Sequence, residues 1–140
     1  MEKPEPIRVM VVDDYQALRE GWCALINGEP NMTVVAEAAD GQRAVELFRS
    51  VRPDVVLMDL RLPLMNGCEA TRTIRHEFSD ARIIILTTFD GDEDIKRSLE
   101  AGACAYLLKD VDGDELLMAI RTASARKFDR AAETAILNNR

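Results

Sequence analysis

The chain has 140 residues and a formal charge of −7, with 47% apolar and 31% charged residues, the proportions of a globular domain in water. A domain of this size buries a core without disulfide staples, and no apolar run approaches the roughly 20 residues of a membrane span. The acidic balance argues against nucleic-acid binding, which needs a basic face, and Met1–Pro6 has no signal-peptide character.

Ile7–Val12 is an apolar run that predicts a first strand, closed by Asp13-Asp14. A helix follows with Leu18, Trp22, Leu25 and Ile26 on one stripe, ending in the turn Asn27–Asn31. Met32–Ala38 predicts a second strand, and Asp40-Gly41 opens a helix with Ala44, Val45 and Phe48 inward, stopped by Pro53. Val55–Met58 lacks the alternation of a half-exposed strand, which predicts a third strand buried on both faces and ending at Asp59. Asn66 and Glu69 form a capping pair for a helix carrying Ala70, Ile74 and Phe78. Ile83–Leu86 is a fourth buried strand ending at Thr87-Thr88, and an acidic stretch from Asp90 to Asp94 enters a short helix that Gly102 terminates. Cys104–Leu108 is the fifth strand, ending at Lys109-Asp110, and Asp112 with Glu115 caps a last helix with Leu116, Leu117 and Ile120 inward. The Ala-rich tail from about Arg126 extends that helix, docks on the domain or begins a linker, three alternatives that composition leaves open.

Five strands alternating with five helices imply right-handed crossovers and an α/β, doubly wound (βα)5 parallel sheet. With the strand order 2-1-3-4-5 of the flavodoxin-like fold, the first and third strands meet at the topological switch point, where ligands bind at the carboxyl edge. The residues delivered to that edge are Asp13, Asp14, Asp59, Thr87 and Lys109. Three converging carboxylates repel one another. Oxygen ligands without clustered His or Cys point to a hard divalent cation, Mg²⁺. A carboxylate, a cation, a lysine and a hydroxyl together suit a phosphoryl group: Asp59 can accept it as an acyl phosphate while Lys109 neutralises the developing charge. There is no Gly-rich nucleotide cradle, so the phosphoryl group arrives already activated on another molecule.

At Val11-Val12-Asp13-Asp14, Leu57–Pro63, Leu86-Thr87-Thr88 and Tyr106–Asp110 the sequence resembles the receiver domain of bacterial two-component response regulators, over roughly Ile7 to Arg121. Arg19-Glu20-Gly21 and Tyr106–Asp110 are most similar to the NarL/FixJ-like subgroup, which carries a C-terminal helix-turn-helix. The resemblance implies that Asp59 takes phosphoryl from a sensor histidine kinase or a small acyl phosphate. It implies that Asp14 and Asp59 bind Mg²⁺ (or Mn²⁺) directly with the backbone carbonyl of Arg61, while Asp13 acts mainly through water. Lys109 would pair with phosphoryl oxygens, and Thr87 and Tyr106 would switch together. Thr88 would gate access, and Arg61 and Phe89 would tune self-dephosphorylation. The surface of the fourth helix, fifth strand and fifth helix would pair with a second copy. A cytoplasmic signalling domain over residues 1–125 with an extension or linker over 126–140 follows, one that catalyses only its own phosphorylation and dephosphorylation. No helix-turn-helix fits after Arg121, so the expectation is an excised or a stand-alone receiver, and Asp110 stands where many receivers have proline.

Competing readings fit less well. A phosphatase of the haloacid-dehalogenase type needs a carboxylate two residues after Asp59, where Arg61 stands. A flavin phosphate would be repelled by Asp13-Asp14. A receiver that works without phosphorylation has no need of the full set of acids and lysine. His76 reads as a solvated helix-end residue, and Cys23, Cys68 and Cys104, with neither metal-ligand nor CxxC spacing, as reduced thiols.

Overall fold

A computed structural model of the protein describes residues 5–88 and 91–138. Ten elements alternate along the chain: β1 Ile7–Val12, α1 Gln16–Asn27, β2 Met32–Ala38, α2 Gly41–Val51, β3 Val55–Asp59, α3 Gly67–Glu77, β4 Ile83–Thr87, α4 Asp92–Glu100, β5 Ala105–Leu108 and α5 Gly113–Asn138. The strands form one parallel sheet in the order β2-β1-β3-β4-β5, as the alternating pattern predicts.

The continuous apolar runs divide between the two faces with a period of two. Met10, Val12, Val56, Met58, Ile83 and Ile85 face Ala44, Val45 and Phe48 of α2 and Ala70 and Ile74 of α3. Val9, Val11, Val55, Leu57, Ile84 and Leu86 face Trp22, Cys23 and Ile26 of α1 and Leu116, Leu117, Ile120 and Ala123 of α5. Each of these central side chains contributes about 2 kcal/mol by leaving water, so β1, β3 and β4 form a stiff floor. Burial first, and then the nearby Glu37 carboxylate, push the Cys23 thiol up to about 12.

The helix ends follow local chemistry. Asp40 accepts a hydrogen bond from the Arg43 N–H at 2.7 Å, and Asn66 Oδ1 accepts one from the Glu69 N–H at 2.9 Å. Glu69 answers through its side chain, accepting from Asn66 Nδ2 at 2.7 Å, so the expected pair forms with amide-to-carboxylate closure. Gly102 ends α4 at φ 112, a conformation that glycine adopts without strain. α2 ends on left-handed Arg52 (φ 52) just before Pro53, and the Arg52 guanidinium lies 4.0 Å from the Phe78 ring centroid. α5 continues to Asn138. β5 is an edge strand, with Tyr106 42% and Leu108 36% exposed.

Candidate functional site

β1 and β3 are neighbours, and both end in aspartate at the same edge of the sheet. The two ends are built alike. Asp13 Oδ1 accepts a hydrogen bond from the Tyr15 N–H at 2.9 Å, and Asp59 Oδ1 accepts one from the Arg61 N–H at 3.2 Å. Each carboxylate thus closes a turn on the amide two residues ahead, leaving its second oxygen for the centre. There Lys109, delivered by the end of β5, meets both: Nζ is 2.9 Å from Asp59 Oδ2 and 3.0 Å from Asp13 Oδ2. Lys109 is anchored through its own N–H, which donates to Thr87 O at the end of β4 at 2.8 Å.

Asp13 and Asp59 are buried, at 1% and 4% exposure, and Asp14 is exposed beside them. Carboxylate oxygens of all three lie within 4.8 Å of one another. Burial raises the Asp59 pKa, the hydrogen bond and charge of Lys109 pull it down, and Asp13 adds repulsion, leaving it above the ordinary value. For Lys109 burial works against the charged amine, but the Asp59 and Asp13 carboxylates beside it outweigh that and hold the pKa up. One ammonium against three carboxylates leaves two negative charges uncompensated. Asp13 Oδ2 is buried and, although near Lys109, accepts no well-aligned hydrogen bond. An all-oxygen donor set with a net deficit of two charges fits a hard divalent cation.

Of the other residues singled out in the sequence, Thr87 is buried at the end of β4, Thr88 beside it is exposed, and Arg61 is exposed at the start of the β3–α3 loop. Tyr106 lies half-exposed on β5. Phe89 lies outside the described residues. The Lys109–Asp110 peptide is trans, and there is no cis peptide among the described residues. Strand-end reading missed Arg19 of α1, whose Nη1 donates to Asp13 O at 2.7 Å and whose Nε reaches Glu37 at 3.2 Å. Its only signal was a position one helical turn or so beyond the acids.

An open α/β sheet with an acid trio and a lysine at its switch point has the architecture of a phospho-signalling domain. The chain belongs to the response regulator receiver domain family, whose model matches residues 9–121. Receiver domains hold Mg²⁺ at such an acidic pocket, interact with sensor kinases, and are in general signalling domains rather than enzymes.

The transcriptional regulatory protein LiaR of Bacillus subtilis is 44% identical over 118 residues, covering 84% of this chain and 56% of that protein. The nitrate/nitrite response regulator NarL of Escherichia coli K12 is 38% identical over 125 residues, covering 89% and 58%. The chain therefore spans little more than half the length of these relatives. Among solved structures, a LuxR-family response regulator from Aurantimonas superposes with a TM-score of 0.83 at 41% identity, covering 97% of this chain and all of that one. The receiver domain of NarL from Mycobacterium tuberculosis gives 0.84 at 33%, covering 87% and 98%. Among the described residues no helix is long and apolar enough to cross a membrane.

Proposed function

We propose that Asp59 is the phosphoacceptor of a two-component regulator, phosphorylated by a sensor histidine kinase in a Mg²⁺-dependent reaction. The observation that carries this reading is the Lys109 amine, shared between Asp59 and Asp13 inside a trio of carboxylates. An Asp59 oxygen forms the bond to phosphorus as the bond from phosphorus to the donor breaks. The donor, a phosphohistidine nitrogen or an acyl-phosphate oxygen, leaves with the electron pair. Lys109 exchanges a carboxylate partner for phosphoryl oxygens without leaving the site. Asp14, Asp59 and the Arg61 carbonyl would hold Mg²⁺, with Asp13 acting through water and Mn²⁺ able to substitute. The cation supplies charge neutralisation at the phosphoryl oxygens when bound.

Thr87 and Tyr106 form the switch. A dianion at Asp59 draws the Thr87 hydroxyl inward, and the Tyr106 ring moves from its half-exposed position into the space vacated. Thr88 gates entry, while Arg61 and Phe89 set the rate of self-dephosphorylation. The output is the surface of α4, β5 and α5, elements that each carry an exposed apolar side chain (Leu99, Tyr106 and Leu108, Met118) of the kind used in pairing with a second copy. Residues 1–125 are the receiver unit, and 126–140 are an extension or linker toward a helix-turn-helix transcription domain of the kind that the subgroup resemblance implies. The cytoplasm is the compartment that suits three unpaired cysteines, and the negative charge leaves DNA contact to another domain.

Incubation with acetyl phosphate and Mg²⁺ tests the reading by intact mass. One phosphoryl group should be gained by the parent and none by Asp59→Asn. Labelling that persists in the variant would move the chemistry elsewhere.

A further inference from the structure

The β3–α3 loop, which carries Arg61, is held from two sides by backbone contacts that only glycine permits. Gly41, the first residue of α2, is buried against it. A methyl group there would stand 2.7 Å from the Met65 carbonyl carbon and 3.1 Å from Met65 Cβ, with the carbonyl oxygen nearer still. Gly67, the first residue of α3, closes the other end. A methyl there would stand 2.9 Å from both the Asp59 carbonyl carbon and Leu60 Cα, and the Gly67 N–H donates to Leu60 O at 2.9 Å. The obstructing atoms are mostly main chain, so no side-chain rotation relieves either contact. Between these points the loop is tight: Leu64 is left-handed at φ 66, and the Met65 N–H donates to Pro63 O at 2.7 Å.

We infer that Gly41 is a positioning residue for the phosphoacceptor site, acting through the loop. It belongs to a different helix from every group at the acidic centre, yet it sets how closely α2 can press on Met65. Its missing side chain lets α2 brace the loop so that the Arg61 backbone is in place before a cation arrives. The inference rests on the proposed reading of that backbone as part of the Mg²⁺ site. A brace of this kind acts as an outer-shell support of a metal site, whose loss weakens affinity without removing a ligand.

The test compares the full chain with Gly41→Ala and with Gly21→Ala, where a methyl meets nothing within 4 Å. Mg²⁺ is titrated by amide NMR, with hydrogen exchange recorded in the metal-free state. Gly41→Ala should bind Mg²⁺ about tenfold more weakly, with faster exchange confined to residues 60–67. Its phosphorylation by acetyl phosphate should recover at saturating Mg²⁺, and Gly21→Ala should match the parent throughout. An unchanged Mg²⁺ affinity in folded Gly41→Ala overturns the inference, as does faster exchange spread over the whole sheet with affinity intact. If Gly41→Ala does not fold, the parent decides. Amides of Arg61, Met65 and Gly67 equally protected with and without Mg²⁺ support the brace, and protection that appears only on adding Mg²⁺ overturns it. A parent that binds no Mg²⁺ refutes the reading of the site, and the exchange of these amides in the metal-free protein then judges the brace by itself.

Discussion

Lys109 reaches past the end of β4 to touch Asp59, with Nζ 2.9 Å from Oδ2, while standing 3.0 Å from the buried Oδ2 of Asp13. One amine serves two carboxylates from separate strands. Lys109→Met keeps the stem and removes the charge, leaving both acids uncompensated. In metal-free buffer the variant should lose about 3 kcal/mol, the cost of stripping one partner from a buried ion pair, read as a lower urea midpoint. Added Mg²⁺ should narrow the gap, and its rate of phosphorylation by acetyl phosphate should fall. An unchanged midpoint would show that the amine does not stabilise the pair.

Asp14 is exposed next to the buried pair, so its removal should cost the metal-free fold little. Mg²⁺ at tenfold over its dissociation constant stabilises a folded binder by about 1.4 kcal/mol, near 4 °C for a chain of this length. Thermal melts with and without Mg²⁺ should show that upward shift in the parent and lose most of it in Asp14→Asn. Equal shifts in both proteins would remove Asp14 from the metal site.

Tyr106 and Leu108 are exposed on β5, as Leu99 is on α4 and Met118 on α5. Tyr106→Ala should stay within about 0.5 kcal/mol of the parent in stability, as surface changes do. Its effect should lie in signalling: beryllofluoride with Mg²⁺ should shift the sedimentation coefficient of the parent and not that of the variant. A shift that survives in Tyr106→Ala would place the pairing surface elsewhere.

Arg49 of α2 and Glu77 of α3 form a two-pronged pair, at 2.7 Å and 2.5 Å. The Arg49 hydrogen bond holds the Glu77 carboxyl below its ordinary value, against a smaller opposing effect of burial. A lowered carboxyl pKa stabilises the fold above the unfolded pKa, and that contribution is lost as pH falls through the folded value. The parent should therefore unfold at higher urea than Glu77→Gln at neutral pH. The gap should close as pH is taken down through the lowered folded value, below the usual carboxylate range, and narrow in high salt. A gap independent of pH would mean that the pair contributes through packing alone.

The strands and the edge they end on were legible because each buried run stops abruptly at a polar residue: Asp13, Asp59, Thr87 and Lys109. A period-two surface strand would have hidden those ends among other polar positions. The difference between Asp13 and Asp14 was not legible in the same way. Adjacent residues leave a strand toward different sides, and only the packed sheet shows that Asp13 turns in toward Lys109 while Asp14 stays in water. Arg19 was overlooked because its contact is with a main-chain carbonyl, and such an acceptor has no residue type to search for. Arg52 ends α2 in a left-handed conformation without being glycine, helped by the Phe78 ring beneath its guanidinium, a pairing between residues far apart in the chain.

The acidic centre draws on the far ends of β1, β3, β4 and β5, and its central link, Lys109 to Asp59, spans 50 residues. No fragment that stops short of β5 contains it, and no partly assembled sheet can imitate it. A ribosome must release β5 before Lys109 can meet the two buried acids, so the centre exists only on molecules whose sheet is complete. A chain that loses its last strand through damage or proteolysis loses the amine of the centre with it.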